Sequence, residues 1–245
     1  MSYLDFIKDL SQGGGSVRVM RHSRTKRMYV VKVVADEREA VVHSAVMNHP
    51  NIVRLVKYWK EDQRVVMLMD PSPQNLHDNI VQFGHLSLVD TIRVSRQILD
   101  GMLHIKSHGV VHGDIKLQNI LIGSDSVLRI CDFGSATYGG SDDVTTTPCY
   151  RAPEVIAGEK TSFASDVWSF GVVVFTMLFG SYPFDTDAHA ATEVLAVPSG
   201  THADVANMLE KCLCKDPQIR ITLEDLSTHV VFKQPLQYWR DQQCF

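Results

Sequence analysis

The sequence predicts an α+β chain in which a small sheet with one helix precedes a larger helical part, and three observations point there. Short bursts rich in β-branched residues, SVRVM, MYVVKVV, IVRLVKYW and RVVMLM, crowd residues 16–69, as strands require. The segment Asp70-Pro71-Ser72-Pro73 then breaks the pattern, because proline restricts its own backbone and that of the residue before it. Beyond it Leu88, Ile92, Leu99 and Met102 recur at helical spacing.

In chain order, the bursts are strands separated by a charged turn and by one helix over residues 36–47, which His49-Pro50-Asn51 ends. Residues 1–70 form a first lobe, 71–73 a hinge, 74–238 a second lobe and 239–245 a short tail. In the second lobe a long helix stops near Gly109, and most later apolar runs also read as helix. Val172 to Phe179, inside WSFGVVVFTMLFG, suits a buried helix and is far too short to span a bilayer. No internal repeat or low-complexity tract is visible.

With 245 residues, 44% of them apolar, the chain has ample material for a packed core. Its 24 basic and 28 acidic residues sum to −4, so no general attraction to nucleic acid or to an anionic membrane is expected. Cys131, Cys149, Cys212, Cys214 and Cys244 form an odd set, and the N-terminus carries Asp5, Lys8 and Asp9 instead of an apolar signal core. A reducing, cytoplasmic setting is the expectation.

The chemistry concentrates in HGDIKLQN at 112–119, where Asp114 is followed five residues later by Asn119. That spacing supplies a proton acceptor and a metal ligand in one short loop. Eighteen residues beyond Asp114 comes DFG at 132–134, directly after the strand-like VLRIC, and APE follows at 152–154. Taken alone, an aspartate in a loop after a helix is a turn former; three motifs in one order argue otherwise. Their order resembles the catalytic domain of protein kinases, over residues 17–232.

The resemblance implies a two-lobed protein-kinase-like fold, with a small antiparallel-sheet lobe carrying one helix and a larger helical lobe. It also implies ATP and Mg2+ as cofactors and a protein substrate that accepts phosphate on serine or threonine. By the same resemblance Lys32 in YVVKVV grips the α and β phosphates, and Glu39 is its helix partner. Gly15, Val17, Val30, Met69 and Leu121 surround the nucleotide, and Asn119 and Asp132 hold the metal. Asp114 is the base, Lys116 neutralises the transferring phosphate, and Thr147 bonds both in the serine/threonine branch. Glu154 pairs with Arg220, and Asp166 holds the 112–119 loop from below. Read from the strand alone, Lys32 points either to a cleft or to solvent.

The chain departs from the family pattern at several places. The phosphate loop has Leu10, Gln12 and Gly15 at the glycine positions, with Gly13 and Gly14 between, which makes a floppier loop that costs more entropy to order. Ala40 occupies the expected glutamate position and Glu39 sits one residue earlier, a shift of roughly 100° around a helix. Either the loop before His49 carries an extra residue or Glu37 reaches in instead. Gly113 replaces the arginine that would read a phosphate on the loop, so that loop, with Asp142 and Asp143, is expected to act without modification at Thr145 or Thr146. Gln118 and Asn75 stand where kinases that prefer basic peptides carry acids. Arg151 resembles kinases that accept proline after the target residue, but the insertion typical of them is absent.

His104, His108 and His112 at four-residue spacing lack the glutamate of a zinc helix and are not expected to bind metal. Cys212 and Cys214 flank Leu213 in a helix and point apart, while Cys131 could place a thiol beside the nucleotide but defaults to a small buried hydrophobe. The altered glycine loop, the shifted glutamate and Gly113 motivate a rival reading, a non-catalytic kinase-like scaffold. A regulatory partner is allowed by either.

Overall fold

The computed structural model describes residues 3–11, 16–141 and 147–242. Its first lobe is a five-stranded antiparallel sheet built from β1 (Leu4–Asp9), β2 (Ser16–His22), β3 (Met28–Val34), β4 (Leu55–Glu61) and β5 (Arg64–Met69), ordered β1-β2-β3-β5-β4. Four of these are the β-branched bursts. The fifth, β1, lies before the stretch from which strands were expected: as an edge strand it leaves Phe6 58% and Ile7 42% exposed, so LDFIKD carries no alternation to read.

Side chains alternate across the two central strands as the pleat demands. Val31, Val66 and Leu68 cluster on one face with Met20, whereas Val30, Val34, Val65, Met67 and Met69 cluster on the other with Ala40 of the helix. That helix, α1 (Arg38–Val46), starts two residues later than position 36, because the Asp36 carboxylate accepts the Arg38 N–H at 2.8 Å and makes a turn of that segment. The loop after α1 then docks onto the second lobe. Val53 N–H donates to the Ile130 carbonyl at 2.9 Å, Ile130 N–H donates to the Asn51 carbonyl at 2.8 Å, and the Asn51 side chain donates to the Leu128 carbonyl at 2.9 Å.

Beyond the hinge come β6 (Gln74–Asn75), α2 (Leu76–Phe83), α3 (Leu88–Ser107), β7 (Val110–Val111), β8 (Ile120–Ile122), β9 (Leu128–Ile130) and β10 (Thr137–Tyr138). They are followed by α4 (Pro153–Ile156), α5 (Phe163–Phe179), α6 (Asp187–Thr192), α7 (Ala203–Cys212), α8 (Leu223–Ser227), α9 (Val230–Lys233) and α10 (Leu236–Asp241). The lobe is helical, with two small sheets, β6-β8-β9 and β7-β10, that helical periodicity alone did not foretell. Ser87 caps α3, accepting the Asp90 N–H at 3.1 Å, and a Ser162/Ser165 capping box opens α5. Because α5 is buried on nearly every side, from Val167 to Met177, it is apolar without a polar face. Among the described residues no helix is long and apolar enough to cross a membrane.

Two sequence expectations are corrected here. The short tail over 239–245 does not begin at Trp239: that indole is fully buried, donates to the Val231 carbonyl at 3.2 Å, and seats α10 against α3. The polar run after it masked an aromatic anchor. Cys212 and Cys214 do not share a helix, since α7 ends at Cys212, which is buried, and the Cys214 thiol turns to the Asp216 carbonyl at 3.6 Å. Cys131, Cys149, Cys212 and Cys214 are free thiols, and Cys244 lies outside the described residues.

Trp239→Ala is expected to cost about 3–5 kcal/mol of stability through the cavity it leaves. At roughly 2–4 °C per kcal/mol for a chain of this size, calorimetry should record a Tm lower by about 6–20 °C, with Trp239→Phe intermediate.

Candidate active site

The site begins on β3. Lys32 stands across from Val17 on β2 and from Met67 on β5, and shares its face with Val30 and Val34, toward α1. Its ammonium lies 2.7 Å from Glu39 Oε1 and 2.8 Å from Asp132 Oδ1. Of the two glutamates left open by the sequence, the helix brings Glu39 to Lys32, and Glu37 turns out to Lys60 at 3.0 Å. Ala40, one residue on, is fully buried under the sheet.

Burial opposes the Lys32 charge, but the Asp132 and Glu39 carboxylates outweigh it and its pKa ends above the ordinary value. Against a desolvation cost, the Lys32 ammonium and the Gly134 amide hold the Asp132 carboxyl below the usual range. Burial raises Glu39, so Asp132 is the stronger acid of the two partners. Asp132 has φ +64, a left-handed backbone that costs energy and persists where the surroundings over-determine it. Gly134 makes this packing possible: a Cβ there would stand 3.2 Å from Asp132 Oδ1 and 3.6 Å from Glu39 Oε2.

Between Asp132 and Gly134, Phe133 is fully buried, with ring centroids 4.7 Å from His43 of α1 and 5.1 Å from His112. Sequence reading missed His43. The signal available was its position, one helical turn after Glu39 on the same face. Its Nε2–H donates to the Val53 carbonyl at 2.6 Å, and burial lowers its pKa to about 4, so it is neutral near pH 7. Arg38, also missed, donates from its guanidinium to the Gly134 carbonyl at 3.2 Å.

The second cluster is the 112–119 loop. Lys116 Nζ lies 2.6 Å from Asp114 Oδ2 and donates to Thr147 Oγ1 at 2.7 Å. The Thr147 hydroxyl in turn donates to Asp114 Oδ1 at 3.1 Å, closing a triangle. Asn119 Nδ2–H donates to the Asp114 carbonyl at 2.9 Å and to Asp114 Oδ2 at 3.0 Å, so these bonds use the amide nitrogen and not the amide oxygen. Asn119 and Asp132 therefore offer hard oxygen donors, a set that suits magnesium, which takes one or two protein ligands and completes its shell with phosphate and water. Val30 pairs with Met69, and Leu121 and Cys131 pack beside them, giving an apolar surface near Lys32 that suits an aromatic base. Gly15 and the other loop glycines lie outside the described residues.

Residues 6–232 match the family model of the protein kinase domain. The chain belongs to that family. A probable serine/threonine-protein kinase KCC4 of Saccharomyces cerevisiae is 29% identical over 256 aligned residues, covering 90% of this chain and 25% of the relative. The serine/threonine-protein kinase PLK4 of Nematostella vectensis is 34% identical over 75% of this chain and 20% of the relative. Sucrose non-fermenting protein kinase 1 of Fusarium virguliforme is 29% identical over 90% of this chain and 35% of the relative. The chain thus spans about a fifth to a third of the length of these relatives.

In this kinase domain the loop is carried from below by Asp166 of α5, whose buried carboxylate accepts the His112 and Gly113 amides at 2.8 and 2.9 Å. Gly113 has φ +74, and a Cβ there would stand 3.1 Å from the Ser135 carbonyl, so a larger residue would strain the backbone and press that strand of chain outward. Glu154 and Arg220 form a buried two-point pair at 2.6 and 2.8 Å, which anchors α4 to the segment before α8. Arg151 reaches Asp187 at 3.2 Å.

Other flagged residues fall elsewhere. His104 stacks on His49 at 4.7 Å and meets His108 in a tilted contact at 4.5 Å, and no group of three or more His, Cys, Asp or Glu placed to hold a metal ion exists among the described residues. Burial pushes the Cys131 thiol far up, the behaviour of a packed hydrophobe and not of a nucleophile. Asn75 caps α2, accepting the Asp78 N–H at 2.8 Å, and the Gln118 amide oxygen is buried.

The neutral His43 gives a pH prediction. Its unfolded value is 6.5 and its folded value about 4, so the unfolded chain binds the proton more readily and native stability falls as pH drops from about 6.5 to about 4. Between about pH 7.5 and about pH 5 this group should remove about 2 kcal/mol. Urea midpoints of the native protein and of His43→Leu at the two pH values should show that part of the slope missing in the variant.

Proposed function

We propose that this domain is a serine/threonine protein kinase that moves the γ-phosphoryl group of ATP onto a serine or threonine hydroxyl of a protein substrate. The observation that supports it best is the convergence of Lys32, Glu39 and Asp132 in one cluster and of Asp114, Lys116 and Thr147 in another. Asp114 takes the proton of the incoming hydroxyl, Lys116 offers a compensating charge to the phosphoryl group in flight, and Thr147 fixes the distance between them. Asn119 and Asp132 hold magnesium; Lys32 grips the α and β phosphates, with Glu39 keeping the ammonium in place. Val17, Val30, Met69 and Leu121 flank the adenine; Gly15, expected beside the phosphates from the sequence, lies outside the described residues. Bound Mg-ATP supplies the phosphoryl group and spreads its charge.

The decisive comparison is magnesium-dependent transfer from ATP to protein by the native domain and by Asp114→Asn. Turnover should fall by about 10²–10⁴-fold, while nucleotide binding is retained. Equal background in both would favour the scaffold reading.

Gly113 offers no cation to a phosphate on the loop, and Thr145 and Thr146 lie outside the described residues. We take the domain to be active without loop phosphorylation. Phosphatase-treated enzyme should keep its rate, and abolition of activity by that treatment would refute this. With Asn75 spent on a helix cap and Gln118 uncharged, no strong demand for arginine upstream of the target is expected.

A further inference from the structure

A cleft of about 690 Å3 lies away from the reacting groups: neither Lys32, Asp114 nor Asp132 lines it. Its walls come from both lobes. Arg27 and Met28 contribute from the entry to β3, Met47, Pro50 and Arg54 from the loop between α1 and β4, Asp70 and Pro71 from the junction with the hinge, Asp125 from the turn between β8 and β9, and Arg129 from β9. The volume falls in the range of binding sites.

The charges in this cleft do not balance. Arg129 is matched by Asp125, at 2.9 and 2.6 Å across two parallel bonds. Arg27 is matched by Asp70 at 2.9 Å. Arg54 approaches Asp70 only to 3.9 Å, beyond hydrogen-bond length, and its guanidinium makes no hydrogen bond among the described residues. Three guanidiniums thus face two carboxylates, and the surplus cation is Arg54. Beside it the walls are apolar, with Met28, Met47, Pro50 and Pro71; methionine adapts its shape to varied apolar partners.

We propose that this cleft docks a peptide segment of a protein partner in which a carboxylate stands next to an apolar side chain. The apolar side chain lies between the methionines and the prolines, and the carboxylate completes the Arg54 guanidinium. A peptide suits the site better than a small metabolite: the side chains of Arg54 and Arg27 are 64% and 53% exposed, so the mouth is open, whereas small ligands are held with most of their surface buried. An occupant here touches both lobes at once.

The test is fluorescence anisotropy with fluorescein-labelled decapeptides in which a leucine is flanked by two glutamates, by two lysines, or replaced by serine between glutamates. The glutamate-leucine peptide should saturate, and the other two should bind more weakly. Arg54→Glu should weaken it by about five- to tenfold and shift preference toward the lysine-flanked peptide. As Arg54 is largely exposed, the variant should melt like the native protein and phosphorylate a generic protein substrate at the native rate, which separates this proposal from the kinase reading. Equal binding of the glutamate and lysine peptides, unchanged binding in Arg54→Glu, or no saturation by any peptide to about 1 mM would overturn it. Displacement by inorganic phosphate or free glutamate as effective as by peptide would make the cleft a small-anion site and overturn the peptide assignment.

Discussion

The arrangement depends on one half-buried ammonium. Lys32 is 15% exposed at its side chain and is shared by Glu39 and Asp132, so three chain segments meet at a single charge. A charge removed from water must be matched closely. Two carboxylates around one cation can be matched only if β3, α1 and the segment starting at Asp132 sit in one mutual position. Displacing any of them leaves a charge without its partner in a poorly solvated place.

The neighbouring packing holds that position. The loop after α1 is sewn to β9 by backbone hydrogen bonds at Asn51, Val53 and Ile130. Phe133 fills the space between His43 and His112. Gly134 lets the chain pass close to both carboxylates. Below, Asp166 on α5 fixes the amides at the start of the 112–119 loop, and Glu154 with Arg220 ties the lower lobe together. Asp114, Lys116 and Asp132 therefore lie on loops, whereas Lys32 lies on β3 and Glu39 on α1, and the rigidity beneath the loops comes from α5 and from a buried ion pair. Breaking such a pair on one side is far more costly than its net contribution suggests.

Much of this was legible in the residues. The strands β2 to β5 announced themselves by β-branching, the long α3 by the helical period of its buried residues, and α1 by the His49-Pro50 step that follows it. The loop 112–119 and DFG were readable because their function needs particular residue types at short fixed spacing. Four things were not readable. β1 buries little and shows no alternation; the small strand β8 has only three residues. His43 looks like any polar residue on a short helix until Phe133 is placed against it. Trp239 sits beside a polar run, and only contact with α3 and Val231 makes it core.

By itself, then, the sequence determined which chemical groups are available and in what local order: an ammonium in a strand, an acid and an amide in one loop, a second acid before a glycine. It could not choose between Glu39 and Glu37, nor aim Lys32 toward a cleft or toward water. The tertiary structure decided both, because Lys32 and Asp132 are 100 residues apart and their contact is created by the docking of one lobe on the other. Local spacing governs how a segment turns; which distant charge it meets is set by the packing that excludes water around it.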